Sequence, residues 1–292
     1  MNKKTIIIIL LTILIIFVIF FPLQTLCENF YLINDKKELS EVDIMNSEYK
    51  PLVVLYSCLN RYWDKTIDNH IEVIKKITNN DLSNVLIGIH YWKDPSIEIP
   101  NSIKNMNYKS SSSENIIADN KLIYSKNETF NNGVLTIKRF IFSIKNALEN
   151  AEILYYEKYK HEMPIEQPIL RFRYDSYVHD IAKFPYPLNN EDNYYLSTWN
   201  TDHRGYNNNR IEIADAVLIT TKKVLMNLIK IDVDKFINDN IDILNPDSHF
   251  HESLLYFILE KTGVKIVFDF NLHLSLIRKD DKITNLSYNN YR

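Results

Sequence analysis

Glycine is scarce in this chain, with only four glycines among 292 residues. Neither G-x-G-x-x-G nor G-x-x-x-x-G-K-[ST] occurs, so the sequence contains neither of the common glycine-rich loops that hold phosphate groups. A phosphorylated ligand would therefore have to be neutralised by side chains, and arginine is well suited to that contact.

The sequence also has few cysteines, a small net charge and no hydrolase motif. The two cysteines, Cys27 and Cys58, are too few for a cysteine-based zinc site, and Cys27 closes an N-terminal apolar run, which argues against a disulfide framework. The formal net charge of −3 gives no bulk attraction to nucleic acid, so we expect no nucleic-acid partner. The absence of G-x-S-x-G argues against an α/β-hydrolase.

Two short polar motifs have ordinary explanations. His249 and His251 lie two residues apart at the expected start of a helix, where their side chains point to different sides, so we predict no zinc site there. The D-x-D motif at Asp232 and Asp234 resembles some divalent-ion sites. Because it follows a helix rather than a strand, we expect a solvated turn.

A membrane-targeting segment is expected at the N-terminus. Lys3 and Lys4 precede an apolar run from Ile6 to Phe21. This pattern predicts a signal-anchor over residues 1–27, with residues 6–26 in the membrane. The N-terminus would then be cytosolic and the main domain luminal or extracellular, behind a stem of residues 28–50. The alternative is a signal peptide that is cleaved, after which the protein is secreted.

Residues 51–292 are expected to form one α/β domain with a mixed, mostly parallel sheet. The apolar run Leu52–Tyr56 predicts a buried strand, and Val85–Trp92 predicts a second one. Isoleucines between them recur at helical spacing, at Ile67, Ile71, Ile74 and Ile77. The resulting strand–helix–strand unit predicts a ligand site in the loops that follow the strands.

Later elements are predicted from the same kinds of pattern. Residues 94–132 lack hydrophobic periodicity and are expected to be a loop. Further helices are predicted over 134–150, 150–160, 222–229 (N-capped by Thr220 or Thr221) and from 249 to the C-capping Gly263. Further strands are predicted over 194–199, 216–219, 264–270 and 272–278.

The central stretch of the chain alternates charged and aromatic side chains. Arg171, Arg173 and Asp175 are separated by Phe172 and Tyr174, and this period of two predicts a strand with two different faces. Two guanidiniums and a carboxylate on one face favour an anionic ligand, such as a phosphate, with Asp175 placed for a metal or a hydroxyl. The alternative is a solvated charged face or an Arg–Asp ion pair.

The order of these motifs resembles the WavE-type surface-polysaccharide synthesis proteins and related glycosyltransferase-like families. Their shared pattern is a strand that carries Arg-x-Asp or Arg-x-Arg-x-Asp, and residues 169–175 match it. The resemblance covers roughly residues 50–280, from the turn that ends at Arg61, through Ile89–Trp92 and Asp215, to Glu252. It implies a single GT-A-like, Rossmann-like domain that uses a nucleotide-sugar donor and a glycan or glycoprotein acceptor.

The resemblance also implies roles for particular residues. Arg61 would lie near the donor nucleotide, and Arg171 and Arg173 would neutralise its diphosphate. Asp175 would be catalytic and would bind a divalent ion, Mn or Mg, while Asp215 and Glu252 would serve in the acceptor half. The alternative is a membrane-anchored binding or structural protein that keeps the fold but is not an enzyme.

Overall fold

The structure, a computed structural model, describes ten parts of the chain. They are residues 51–58, 62–93, 98–114, 128–183, 194–197, 216–242, 244, 251–268, 274–277 and 283–285. The predicted membrane segment and stem lie outside them. Within the described parts, no helix combines the length and the apolar character that a membrane span requires.

The first strand–helix–strand unit forms as predicted. Strand β1 (Leu52–Tyr56) leads into helix α1 (Trp63–Ile77) and then strand β2 (Val85–Trp92). The two strands are parallel, with Leu52 opposite Val85. Every residue of β1 is buried, because both faces of the sheet are covered.

Seven strands form the main sheet, in the order β3-β2-β1-β4-β7-β6-β8. The additional strands are β3 (Tyr108–Ser113), β4 (Pro168–Phe172), β6 (Tyr194–Ser197), β7 (Val217–Thr221) and β8 (Lys265–Phe268). Only β7 runs against the other six, since it is antiparallel to both β4 and β6. The predicted mixed, mostly parallel sheet is therefore confirmed.

The structure also contains a second, smaller sheet of three antiparallel strands. It consists of β5 (Ser176–Val178), β9 (Leu274–Ile277) and β10 (Ile283–Asn285), in the order β10-β9-β5. The sequence patterns predicted β9 but neither of its partners. Strand β5 begins directly after Asp175, so this small sheet fixes the chain just beyond the central stretch.

The helices differ from the prediction in their number and bounds. The two helices expected over 134–150 and 150–160 are a single helix, α3 (Glu128–Tyr159), of 32 residues. Short helices α2 (Asn101–Lys104), α4 (Lys222–Ile229) and α5 (Val233–Asp239) and a longer one, α6 (His251–Lys261), complete the set, with a 3-10 turn at Ile181–Lys183. The loop predicted over 94–132 also contains α2 and β3, so that prediction was wrong for those residues.

Capping interactions explain the start of α5 and the end of α6. Asp232 is the N-cap of α5, where its carboxylate accepts a hydrogen bond from the Lys235 N–H at 3.0 Å. Asp234 pairs with Lys138, and the D-x-D motif begins helix α5 rather than forming the predicted solvated turn. Thr221 precedes α4 as predicted, although its side chain makes no capping bond. Gly263 ends α6 with a φ of 72°, which confirms the predicted C-cap.

Helix α3 packs directly on β2 at Gly88. A Cβ atom on Gly88 would lie 2.0 Å from the backbone oxygen of Ala147 and 3.0 Å from the Ala151 Cβ. The helix and strand backbones therefore approach so closely that only glycine fits between them.

We expect Gly88→Ala to lower the free energy of unfolding by about 3 kcal/mol, because the added methyl group collides with a backbone oxygen that cannot move alone. Gly263→Ala is the matched control: it has open space around it and should cost only about 1 kcal/mol, for its left-handed backbone. Urea denaturation measures both values. Equal losses in the two variants would contradict the packing argument.

His70, on α1, is fully buried. His70 stacks on Phe172 with ring centroids 4.3 Å apart, and its Nε2 lies 2.8 Å from the Ser176 carbonyl oxygen. A carbonyl only accepts hydrogen bonds, so Nε2 carries the proton. Burial lowers the pKa of His70 from 6.5 to about 3, and the ring is neutral in the folded protein.

The free energy of unfolding should fall as the pH drops below about 6.5. In this range His70 binds a proton in the unfolded chain but stays neutral in the folded protein. The slope from this one residue is about 1.4 kcal/mol per pH unit until the folded pKa is reached. His70→Phe keeps the stacking and removes the titration, so its stability should depend less steeply on pH. Denaturation curves collected between pH 7 and 4.5 measure this difference, and parallel curves for the two proteins would refute it.

Candidate functional site

The sheet has a topological switch point between β1 and β4. From β1 the chain passes through α1 to β2 on one side, while β4 lies on the other side of β1. Tyr56 pairs with Phe172, so the residues after these two strands emerge next to each other. In open α/β sheets, ligands bind in the crevice outside the carboxyl ends of the strands at such a point.

The turn that follows β1 is strained. We refer to Ser57 and Cys58, which directly follow β1, as the first turn; residues 59–61 lie outside the described parts. Cys58 has a φ of 90° and Tyr62 a φ of 59°, and neither residue is glycine. Such conformations cost on the order of 1–3 kcal/mol each and cluster at ligand sites. The scarcity of glycine therefore does not prevent left-handed backbone here.

Arg171 links β4 to the first turn. Its side chain is fully buried, and its Nε donates to the Ser57 hydroxyl at 2.9 Å. Its Nη2 donates to the Ser57 carbonyl at 3.1 Å and to the Cys58 sulfur at 2.9 Å. The guanidinium also lies 5.1 Å from the centre of the Phe140 ring on α3. The guanidinium is thus held by polar groups on one strand end and by an aromatic face.

Arg173 and Asp175 form an ion pair with each other. Arg173 Nε lies 2.7 Å from Asp175 Oδ1, and Nη2 donates to Oδ2 at 3.4 Å. The Asp175 side chain is fully buried, whereas that of Arg173 is 12% exposed. Arg171 and Phe172 face opposite sides of the sheet, as predicted. The strand itself ends at Phe172, and a turn closed by Ser176 N–H on the Arg173 carbonyl carries both charged residues.

The remaining predicted site residues are less well defined. Arg61 and Asp215 lie outside the described residues, and so does His249. Glu252 lies in the first turn of α6, and its side chain is outside the description. The structure therefore brings Arg171 to the first turn and Arg173 to Asp175, while the roles assigned to all six residues stay predictions.

The described residues do not fit a divalent ion at Asp175. Both oxygens of its carboxylate face the guanidinium of Arg173, and a second cation would have to displace that group. Across the described parts of the chain, no three His, Cys, Asp or Glu side chains converge as metal ligands. We accordingly assign no step of the chemistry to a metal held by these residues.

His90 lies near the end of β2. It is fully buried at the carboxyl edge of the sheet, with its Nδ1 2.9 Å from the Ser143 hydroxyl of α3. Its Nε2 lies 3.1 Å from the hydroxyl of Ser113. Burial lowers the pKa of His90 to about 4. The position of His90 at the end of a parallel strand could have drawn attention to it; the Ser143 helix position carries no such signal.

Known proteins offer only distant comparisons. No protein-family model matches the sequence, and neither does any curated protein at a significant level. The solved structures that resemble the chain include a glycosyltransferase involved in glycosylation of the major capsid of PBCV-1. It has 14% identity over 75% of this chain and 82% of that chain, with a TM-score of 0.36.

Two further structures show how weak the likeness is. The galactosyltransferase LgtC, in complex with donor and acceptor sugar analogues, has 11% identity over 74% of this chain and 73% of that chain, with a TM-score of 0.38. A putative glucose-1-phosphate thymidylyltransferase from Bacillus anthracis has 8% identity over 77% and 89%, with a TM-score of 0.34. Function must therefore be argued from this chain's own residues, and the WavE-type resemblance stays a prediction.

Arg171→Lys should lower the free energy of unfolding by about 2–4 kcal/mol, because an ammonium cannot reach Ser57 and Cys58 together and leaves buried acceptors unpaired. Arg139→Lys is the matched control on α3, since Arg139 is only partly buried and its Nε has no hydrogen-bond partner among the described residues. Guanidinium denaturation compares them. A similar small loss in both would show that the contacts of Arg171 with the first turn contribute little.

Proposed function

We propose that this protein is a glycosyltransferase, which binds a nucleotide-sugar at the switch point between β1 and β4 and moves the sugar to a glycan or glycoprotein acceptor. The observation that carries the proposal is the contact between Arg171 and the strained first turn. It places buried positive charge and unusual backbone where α/β sheets bind nucleotides.

Positive charge at this edge suits a diphosphate. The leaving nucleoside diphosphate carries negative charge that must be stabilised as the bond to the sugar breaks. The Arg173 side chain is 12% exposed at this edge, and Arg61 follows Cys58 by three residues. In this proposal Arg61 and Arg173 contact the donor, while Arg171 holds the turn and adds charge beneath it.

The three carboxylates are then assigned different tasks. Asp175 is buried against Arg173, so it orients that guanidinium towards the donor. A base for the acceptor hydroxyl must be accessible, and Glu252 or Asp215 serves in that role. A divalent Mn or Mg ion, where one takes part, would neutralise the diphosphate through groups beyond those described.

Attachment to a membrane is part of the proposal. The apolar run over residues 6–26 anchors the chain, with the domain on the luminal or extracellular side, as the flanking lysines predict. Cleavage of this segment would instead release a secreted enzyme.

A second candidate function is a binding protein that keeps the fold without the chemistry. The Arg173–Asp175 ion pair favours it, because a pair that satisfies its own charges can be purely structural. This candidate predicts that nucleotide-sugars have no effect on the protein.

A panel of UDP-glucose, UDP-galactose, UDP-N-acetylglucosamine and GDP-mannose should separate the two functions in a thermal-shift measurement. A ligand present at about 100 times its Kd stabilises the folded state by about 2.7 kcal/mol, which raises the melting temperature. The panel is repeated with Mn²⁺ and with a chelator, so that a metal requirement appears as a shift seen only with Mn²⁺. No shift under either condition would rule out donor binding.

Asp175→Asn should abolish the shift, because Arg173 loses the charge that orients it. Asp234→Asn is the matched control, since Asp234 pairs with Lys138 at a helix start and should leave the shift unchanged. Hydrolysis of the best donor, followed by nucleotide release, tests for turnover. A normal shift in Asp175→Asn would remove that residue from the site.

A further inference from the structure

Four groups form a continuous chain of hydrogen bonds beneath the first turn. The Cys58 backbone N–H donates to the Ser143 hydroxyl at 2.7 Å. That hydroxyl lies 2.9 Å from His90 Nδ1, and His90 Nε2 lies 3.1 Å from the Ser113 hydroxyl. These hydrogen bonds therefore connect the first turn, β2, β3 and α3 at one edge of the sheet.

The direction of each bond follows from its donors and acceptors. The Ser143 oxygen accepts the Cys58 N–H, so its own single proton is available to His90. His90 Nδ1 is the only other hydrogen-bond partner of that hydroxyl among the described residues. His90 therefore accepts at Nδ1 and carries its proton on Nε2, which donates to Ser113.

Cys58, the first member of this series of hydrogen bonds, is also the residue with the strained backbone. Cys58 holds a φ of 90°, which a non-glycine residue keeps only when its surroundings compensate the cost. Two contacts do so: Ser143 accepts the backbone N–H of Cys58, and Arg171 donates to its sulfur. Ser143 and His90 are both fully buried, so no water competes with their bond.

We propose that His90 and Ser143 are positioning residues, which hold Cys58 and the first turn in the conformation that binds the donor. This inference rests on the proposed donor site at the same turn. Neither residue need touch the ligand, because each acts through the next: His90 orients the Ser143 hydroxyl, and Ser143 fixes the Cys58 backbone. Their loss would allow the Cys58 backbone to relax away from Arg171 and would change the site that meets the donor.

Cys58 reports the conformation of the turn without any donor. In the full-length chain with Cys27→Ser, Cys58 is the single thiol, and mass spectrometry follows its alkylation by iodoacetamide under native conditions. We expect Ser143→Ala to speed alkylation about tenfold, the factor that a lost interaction of about 1.4 kcal/mol gives. His90→Phe should act in the same way, whereas His90→Asn should restore a near-normal rate through its amide.

Asn150→Ala is the matched control. Asn150 lies on the same helix and donates from its buried amide to Ile89 O and to the Ser111 hydroxyl, both at 2.8 Å, and it does not contact the first turn. It should lower stability but leave the alkylation rate and donor affinity near wild type. Ser143→Ala and His90→Phe should weaken binding of the best nucleotide-sugar of the panel about tenfold.

The possible outcomes are distinct. An unchanged alkylation rate in Ser143→Ala, or the same increase in Asn150→Ala, overturns the positioning role. A faster rate with unchanged donor affinity also overturns it, because the turn would then move without consequence for binding. Should Ser143→Ala fail to fold, the comparison of His90→Asn with His90→Phe decides. A wild-type protein that binds none of the four donors refutes the proposed function instead, and the alkylation rates still decide whether the turn is held.

Discussion

The buried guanidinium of Arg171 is the constraint on which the edge of the sheet depends. A charged group without water must find hydrogen bonds, and this one finds them on Ser57 and Cys58, beyond the end of the neighbouring strand. The pairing of Tyr56 with Phe172 sets the distance between the two strand ends, so the arginine can reach the turn only in this register. Strand pairing and the local shape of the first turn are therefore coupled through a single side chain.

That coupling explains how a chain with so few glycines keeps a left-handed residue, Cys58, at its switch point. The left-handed conformation of Cys58 is opposed by its side chain and is maintained from two directions, by Arg171 on its sulfur and by Ser143 on its N–H. A glycine would adopt the same backbone at lower cost, but it would lose the sulfur contact and widen the range of conformations open to the turn. Cys58 is therefore less flexible than a glycine would be, and Arg171 and Ser143 hold it in place.

Much of the fold could be predicted from the sequence because it follows from local patterns. The apolar run of β1, the spacing of α1 and the helix-ending Gly263 each determine their element within a few residues. Strand β3 could not be found in this way: its serine-rich sequence shows no apolar alternation, and it is a strand because it pairs with β2 and is held by Asn150 of α3. At the site, alternation placed Arg171 and Phe172 on opposite faces. The same alternation predicted wrongly that the strand continues to Asp175, because the chain turns after Phe172. No pattern in the sequence indicates that His90 contacts Ser143, which is 53 residues away.

The Arg173–Asp175 pair limits what chemistry this edge can perform. A fully buried carboxylate whose oxygens both face a guanidinium is a poor base for an acceptor hydroxyl, since taking a proton would break the pair and leave the arginine charge uncompensated. The same pair is a good device for aiming a guanidinium, because the arginine remains partly exposed while its partner is rigid. If sugar transfer occurs here, charge stabilisation of the leaving group and proton removal from the acceptor must therefore be divided between different elements, with the central stretch responsible for the first and a residue from another part of the chain for the second.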